Sequence, residues 1–160
     1  MQDLLPKAER IARALIARKQ RIAVSESSSG GLVSAALLAV PGASAYFVSG
    51  AVTYTQRARE GLLGVGEAEM EGLRSSSPPY AMMLARTLVT RFGTDWGLVE
   101  TGAAGPSGNR YGDAAGHCCL AISGVAEHAR TIETGHGDRV ANMRLFASGL
   151  LDLMIEALGL

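Results

Sequence analysis

The sequence predicts a three-layer α/β/α sandwich built on a mixed, mostly parallel sheet of about five strands. Helical apolar stretches alternate with the first β-rich stretches, two β-rich stretches then follow one another, and 20 glycines provide tight turns. A chain of 160 residues is expected to form one domain, 1–160. The formal net charge is zero, so no electrostatic attraction to nucleic acid or an acidic membrane is expected.

The elements follow from apolar spacing and turn residues. The apolar positions of residues 3–19 recur at helical spacing, and residues 21–25 are strand-like. Pro78 is expected to open a helix and Asp138 to cap the last one. The later predicted elements are a helix at 30–39, a strand at 45–55, helices at 56–63 and 80–91, strands at 95–100, 116–122 and 126–135, and a helix at 139–158.

Several patterns indicate a soluble, cytoplasmic protein. Charged residues such as Lys7 and Arg10 interrupt the N-terminal apolar positions, so no secretory signal is expected. No apolar run reaches the roughly 18–20 residues that span a bilayer. Cys118 and Cys119 are adjacent in an apolar run and are expected to be buried and reduced. No spacing of His, Cys and Asp predicts a metal site, and no cofactor is expected.

The first stretch whose residue types could form a functional site is the serine turn, residues 25–31, with the sequence Ser-Glu-Ser-Ser-Ser-Gly-Gly. It lies between a predicted strand and a predicted helix. Unpaired N–H groups at a helix start can hold an anion or present a nucleophile. The same residue types also suit an ordinary helix cap, so the local pattern leaves both interpretations open.

Two further loops, 54–59 and 101–109, leave strands at the sheet edge where α/β proteins place their sites. The three loops offer hydroxyls, a carboxylate, arginines and backbone N–H groups, which suit a phosphorylated ligand and a serine nucleophile. Neither a dinucleotide fingerprint nor a P-loop is present. A serine nucleophile needs a base, and the only lysines, Lys7 and Lys19, lie on the N-terminal helix. His117 is a candidate base, although a satisfied structural histidine is the simpler interpretation.

With these motifs in place, the chain resembles the CinA carboxy-terminal domains, the nicotinamide-nucleotide amidohydrolases. Residues 25–31 are similar to that family's Ala-Glu-Ser-Cys-Thr-Gly-Gly motif. The likeness continues in register at 41–45, 50–54, 63–65, 101–106 and 137–139. The resemblance implies a stand-alone member that hydrolyses nicotinamide mononucleotide to nicotinate mononucleotide and ammonia without a metal.

The resemblance also implies site residues and partners. The implied catalytic residues are Ser27, Ser29, Tyr54, Arg59 and Thr101, with Ser27 as the nucleophile. The implied substrate-binding residues are Glu26, Gly30, Gly31, Gly102, Gly105, Arg139 and Arg144, with Arg139 facing the phosphate. The expected partner is a small-molecule nucleotide, with no nucleic acid and no membrane. A homodimer is the favoured assembly because closed twofold assemblies are the commonest.

The chain departs from the family pattern in the same loops. Ser28 and Ser29 replace the motif's cysteine and threonine, and Met143 aligns with a family arginine. Arg59 replaces a lysine, and an arginine cannot act as a general base near neutral pH. Two alternatives therefore remain beside the hydrolase. One is a paralogue that binds a nucleotide or phosphate ligand without turnover, and the other is an enzyme with His117 as its base.

Overall fold

A computed structural model describes residues 1–160, which fold around a five-stranded sheet with the strand order β2-β1-β3-β4-β5. The strands are β1 (Ile22–Glu26), β2 (Phe47–Val52), β3 (Trp96–Ala103), β4 (His117–Gly124) and β5 (His128–Glu133). β1 pairs in parallel with β2 and β3, whereas β4 is antiparallel to both β3 and β5. β4 is therefore the strand that opposes the others. This mixed sheet confirms the predicted fold class.

Helices cover both faces of the sheet. One layer contains α1 (Leu5–Arg18), α2 (Leu32–Leu38) and α5 (Arg139–Ala157), and the other contains α3 (Gln56–Leu63) and α4 (Pro78–Phe92). Short 3₁₀ turns lie at Ala43–Ala45 and Ala68–Met70. None of the helices combines the length and the apolar character that crossing a membrane requires.

Alternate side chains of the central strands enter different apolar cores. On β3, Leu98 packs beneath α1, α2 and α5, whereas Val99 packs beneath α4. On β4, Cys118 and Cys119 divide between the two cores in the same way. Both thiols are buried and free, as expected from the sequence. The strands have continuous apolar runs because both faces of this sheet are covered.

Side-chain caps set the starts of three helices. Asp138 accepts a hydrogen bond from the N–H of Ala141 at 3.0 Å, which confirms it as the cap of α5. Ser77 accepts the N–H of Tyr80 at 3.4 Å and opens α4 just before the proline pair. Thr55 caps α3 in the same manner. Just before this cap, the N–H of Thr53 donates to the carbonyl of Glu26 at 2.7 Å and holds the loop after β2 beside the end of β1.

β2 is shorter than the predicted strand 45–55. It ends at Val52 because its only neighbour in the sheet, β1, ends opposite it at Glu26. Gly50 marks a close approach of a helix to the backbone of this strand. A Cβ atom at Gly50 would lie 2.5 Å from the hydroxyl oxygen of Ser34. The first turn of α2 therefore packs directly on the backbone of β2.

Candidate functional site

A cleft of about 740 Å³ lies at the carboxyl ends of β1, β2 and β3. Its floor and near wall contain Ser27, the segment 53–56, and Thr101 with Gly102. Arg59 and Tyr80 contribute to the wall formed by α3 and α4, and residues 109–111 contribute from the glycine-rich loop, residues 104–116 between β3 and β4. The remaining lining residues precede α4 and are Glu67, Met70, Ser75 and Ser76. The same cleft is therefore lined by residues of different loops, strands and helices, namely Ser27, Tyr54, Arg59 and Thr101.

Glu26 ends β1 and is fully buried beneath the serine turn. One carboxylate oxygen accepts the N–H and the hydroxyl of Ser34 at 2.8 and 2.7 Å. The other accepts the N–H groups of Gly31 and Val33, each at 3.0 Å. Glu26 thus caps α2 from inside the protein. It does not reach the cleft, in contrast to its expected contact with substrate, and it occupies the helix-start N–H groups of Gly31, Val33 and Ser34.

A second carboxylate, that of Glu100 on β3, holds the serine turn from the other side. Glu100 is 1% exposed, and its Oε2 accepts the N–H groups of Ser27 at 3.0 Å and Ser29 at 2.8 Å. Its Oε1 accepts the hydroxyl of Ser28. Glu100 is not among the site residues predicted from the sequence. The available signal was a charged residue within an otherwise apolar strand, because buried carboxylates need a dedicated set of donors.

Ser29 lies below the cleft rather than on its surface. Its side chain is fully buried, and its hydroxyl oxygen is 2.7 Å from a carboxylate oxygen of Glu26 and 2.7 Å from one of Glu100. The expected contact of this hydroxyl with the reacting amide therefore does not fit its position. Its single proton is available only to these two carboxylates.

Gly30 and Gly31 turn the chain from β1 into α2. Their φ angles of 68° and 96° lie in the left-handed region that glycine adopts without strain. Met143 packs against Gly30, since a Cβ there would lie 2.9 Å from the terminal methyl of Met143. Neither glycine lines the cleft. They shape the serine turn, and the expected direct contact with substrate is not supported by their position.

Arg59 is held in the cleft wall. It is 6% exposed, and its Nε donates to the carbonyl of Val65 at 2.9 Å. Its guanidinium lies 6.0 Å from the centroid of the Tyr80 ring. Burial raises the pKa of Tyr80 despite the opposing effect of this cation. Arg59 donates no hydrogen bond to Ser27, so it contributes positive charge to the cleft and not a proton acceptor.

Arg139 connects the rim of the cleft to the glycine-rich loop. Its guanidinium donates to the hydroxyl of Tyr54 at 3.1 Å and to the carbonyl of Gly105 at 2.6 Å. Gly105 therefore contacts Arg139 and does not line the cleft. Arg144 lies further along α5, is exposed, and forms no hydrogen bond or ion pair within the chain. Of the two arginines expected to bind substrate, only Arg139 contacts a residue that lines the cleft.

His117 does not line the cleft, and both of its ring nitrogens have partners. Nδ1 bonds to the carboxylate of Glu133, and Nε2 lies 2.9 Å from the carbonyl oxygen of Ser76. Burial lowers the pKa of His117, but Glu133, Ser76 and Asp113 outweigh it and raise the pKa above its ordinary value. This arrangement contradicts the hypothesis that His117 accepts the proton of Ser27.

The glycine-rich loop adds cleft residues that the sequence analysis missed. Arg110 and Tyr111 line the cleft, and the Arg110 guanidinium lies 5.9 Å from the Tyr111 ring. Arg110 is exposed and forms no ion pair. Arg74 forms two hydrogen bonds to the carboxylate of Asp113, at 2.6 and 3.0 Å, and anchors this loop to the segment before α4. An arginine next to an aromatic residue in a glycine-rich loop was the only sequence signal.

Comparison with known proteins places this architecture in one family. The family model of the CinA C-terminal domain matches residues 5–158. A CinA-like protein of Chlorobium limicola is 36% identical over 148 residues, which are 89% of this chain and 34% of that protein. A CinA-like protein of Anaeromyxobacter sp. is 37% identical over 157 residues, 98% of this chain and 38% of that protein. The chain therefore spans roughly a third of the length of these curated relatives.

Solved structures share the fold over nearly the full length of the chain. A competence-damaged protein (CinA) superfamily protein from Klebsiella pneumoniae is 27% identical, with a TM-score of 0.89 over 98% of each chain. A competence/damage inducible protein from Agrobacterium tumefaciens is 27% identical, with a TM-score of 0.89 over 99% of this chain and 96% of that one.

Proposed function

Since the chain belongs to the CinA C-terminal domain family, we propose that it is an amidohydrolase that acts on the carboxamide of a pyridine mononucleotide. The products would be the corresponding carboxylate and ammonia, formed without a metal. The observation that supports this proposal is the shared cleft, in which Ser27, Tyr54 and Thr101 come together from the ends of three strands. A volume of about 740 Å³ suits a ligand of mononucleotide size.

The reaction assigned to Ser27 is nucleophilic substitution at the amide carbonyl. The hydroxyl oxygen of Ser27 forms a bond to the carbonyl carbon, and the carbon–nitrogen bond then breaks. The hydroxyl proton leaves with the nitrogen as ammonia. Water next attacks the ester, and one of its protons returns to the serine oxygen while the carboxylate is released. The second proton of the water is taken up by the ammonia, which leaves as ammonium. Atoms and charge therefore balance without a redox partner.

The peptide N–H of Ser28 supports the same assignment. It follows the proposed nucleophile and has no hydrogen-bond partner within the chain, whereas the N–H groups of Ser27 and Ser29 are bound to Glu100. In strand–turn–helix nucleophile sites, the N–H after the nucleophile stabilises the oxyanion. Ser28 thus supplies a donor of the type that this reaction requires.

The charges of the cleft suit a phosphorylated substrate. Arg110 lies in the wall without an ion-pair partner, and Arg139 contacts the cleft residue Tyr54. Arg59 adds a third cation at the wall. Guanidinium groups form bidentate hydrogen bonds to phosphate, so these side chains are the proposed phosphate ligands.

The direct test measures ammonia released from nicotinamide mononucleotide by purified protein. The wild type is expected to release ammonia, and Ser27→Ala is expected to lower kcat by at least about 10³-fold. Ser148→Ala is the matched control, because Ser148 lies on α5 and bonds to Lys7 far from the cleft. If the wild type releases ammonia no faster than Ser27→Ala does, the proposal is refuted for this substrate.

A second candidate is a protein that binds the nucleotide without turnover. The specific observation in its favour is that no side chain accepts a hydrogen bond from the hydroxyl of Ser27, since Glu100 accepts only its N–H. Arg59 is bonded to Val65, and His117 is bonded to Glu133 and Ser76. This candidate predicts that calorimetry detects binding of the mononucleotide while no ammonia is formed. This candidate would be excluded if the wild type released ammonia and the Ser27→Ala variant did not.

A further inference from the structure

We propose that Glu100 is a positioning residue that holds the serine turn in the form that presents Ser27 to the substrate. This inference rests on the proposed function, because it concerns the nucleophile of that reaction. Glu100 lies on β3 immediately before Thr101, and its side chain reaches a turn 72 residues earlier in the sequence. It is buried below the cleft and does not line it.

The bonds of Glu100 fix the turn at successive residues. Its carboxylate accepts the N–H of Ser27 at 3.0 Å and the N–H of Ser29 at 2.8 Å, and it lies 2.7 Å from the hydroxyl oxygen of Ser29. It also accepts the hydroxyl of Ser28. The peptide N–H groups before and after the Ser28 N–H are thus bound to one group. The Ser28 N–H itself is left without a partner within the chain.

Burial makes this arrangement selective for one turn conformation. A buried carboxylate loses its hydration and is stable only when several donors replace the water. The donors here are the backbone and hydroxyls of the turn, so another conformation of residues 27–29 would leave the charge short of partners. Hydrogen bonds to a charged acceptor are roughly twice as strong as neutral ones. Glu100 therefore favours the conformation in which the Ser27 side chain lines the cleft.

The same bonds argue against Glu100 as a general base. Both of its oxygens already accept protons from the turn, and Oε1 also lies 3.6 Å from the thiol sulfur of Cys118. No hydrogen bond joins Glu100 to the hydroxyl of Ser27. Glu100 therefore acts as a hydrogen-bond acceptor in a fixed position. A neutral acceptor at the same position should retain part of its effect on kcat.

This difference between an acceptor and a base defines the test. Glu100→Met has a similar shape but cannot accept hydrogen bonds, whereas Glu100→Gln keeps one oxygen for the N–H groups of Ser27 and Ser29. In the ammonia assay, Glu100→Met is expected to lower kcat about 10²-fold, the effect of a misplaced reacting group. Glu100→Gln is expected to stay within about tenfold of the wild type and to keep its pH profile. The KM of both variants should change by less than about twofold, because Glu100 does not line the cleft.

Cys118→Ala is the matched control, since Cys118 contacts Glu100 but not the turn, and its kcat should equal that of the wild type. All variants are compared at a temperature where thermal melts show them to be folded. A Glu100→Met variant with wild-type kcat overturns the inference. A Glu100→Gln variant whose kcat falls as far as that of Glu100→Met also overturns the inference. The negative charge of Glu100 would then be what matters, and not the hydrogen bonds that it accepts. If Glu100→Met does not fold, Ser28→Ala removes one of the same bonds, and an unchanged kcat there overturns the inference.

Failure of the proposed function is recognised separately. If the wild type releases no ammonia from nicotinamide mononucleotide, hydrogen exchange of the N–H groups of the serine turn replaces turnover, with NMR spectroscopy as the readout. The N–H groups of Ser27 and Ser29 should exchange at least about tenfold faster in Glu100→Met than in the wild type, because both lose their acceptor. Equal exchange rates in the two proteins overturn the positioning role.

Discussion

Arg139 donates a hydrogen bond to the hydroxyl of Tyr54 at 3.1 Å, which joins the first turn of α5 to the loop after β2. Arg139 lies at the start of its helix, and Tyr54 is 59% exposed at the cleft. The bond places a cation at the rim and restrains an exposed aromatic side chain. It follows that Arg139 should affect substrate affinity more than the chemical step.

Arg139→Ala is expected to raise the KM for nicotinamide mononucleotide about tenfold, the usual effect of losing one charge-assisted hydrogen bond. Its kcat should remain within about threefold of the wild type, because Arg139 contacts the rim and not the nucleophile. Arg144→Ala is the matched control on the same helix, since Arg144 is exposed and unbonded. Steady-state kinetics measure both constants. Equal KM values for the two variants would show that Arg139 does not bind the substrate.

Arg59→Lys is expected to raise the rate of ammonia release at least about tenfold, because a lysine in the cleft wall can lose its proton and act as a base. Arg57→Lys is the control, because Arg57 lies on the same helix, is exposed and does not line the cleft. The variant also separates the two candidate functions. Activity that appears only in Arg59→Lys indicates a binding protein, and a wild type as fast as Arg59→Lys indicates a hydrolase that needs no lysine.

His117 is expected to stabilise the fold at low pH. Its folded pKa is raised above the unfolded value of about 6.5, so its contribution is fully present below that pH. The contribution is lost as the pH rises through the folded pKa. Urea unfolding of the wild type and of His117→Gln between pH 5 and pH 9 measures it, with His128→Gln as the control. The difference in unfolding free energy should shrink with rising pH, and a difference that grows would contradict the assigned bonds to Glu133 and Ser76.

Gly50→Ala is expected to lower the free energy of unfolding by about 1–3 kcal/mol, the usual cost of overpacking. The new methyl group would lie 2.5 Å from the hydroxyl oxygen of Ser34, which donates to Glu26, the residue that caps α2. Gly61→Ala is the matched control, because nothing lies within 4 Å of a Cβ there and the position is helical. That control should stabilise the protein by about 0.5–1 kcal/mol. Chemical denaturation measures both changes, and equal stability of the two variants would contradict the close approach.

Much of the fold could be predicted from local patterns. The helix 56–63 has the predicted bounds, and Asp138 is the predicted cap of the last helix. The mixed sheet followed from the order of helical and strand-like stretches. The predicted meeting of Ser27, Tyr54 and Thr101 depended on one rule, that loops leaving parallel strands lie at the same sheet edge. These predictions succeeded because periodicity, caps and strand direction are properties of neighbouring residues.

The direction of each side chain was decided only by the tertiary structure. Successive residues of the serine turn look equivalent in sequence, yet Ser27 lines the cleft and Ser29 is buried between two carboxylates. Glu100 meets the turn because β1 and β3 are adjacent in the sheet, a contact between residues 72 positions apart. The sequence by itself determined which residue types lie near the cleft. The pairing of the strands decided which of these residues face the cleft. A buried charged group needs hydrogen-bond donors, and the tertiary structure determines which chain segment packs beside it and supplies them.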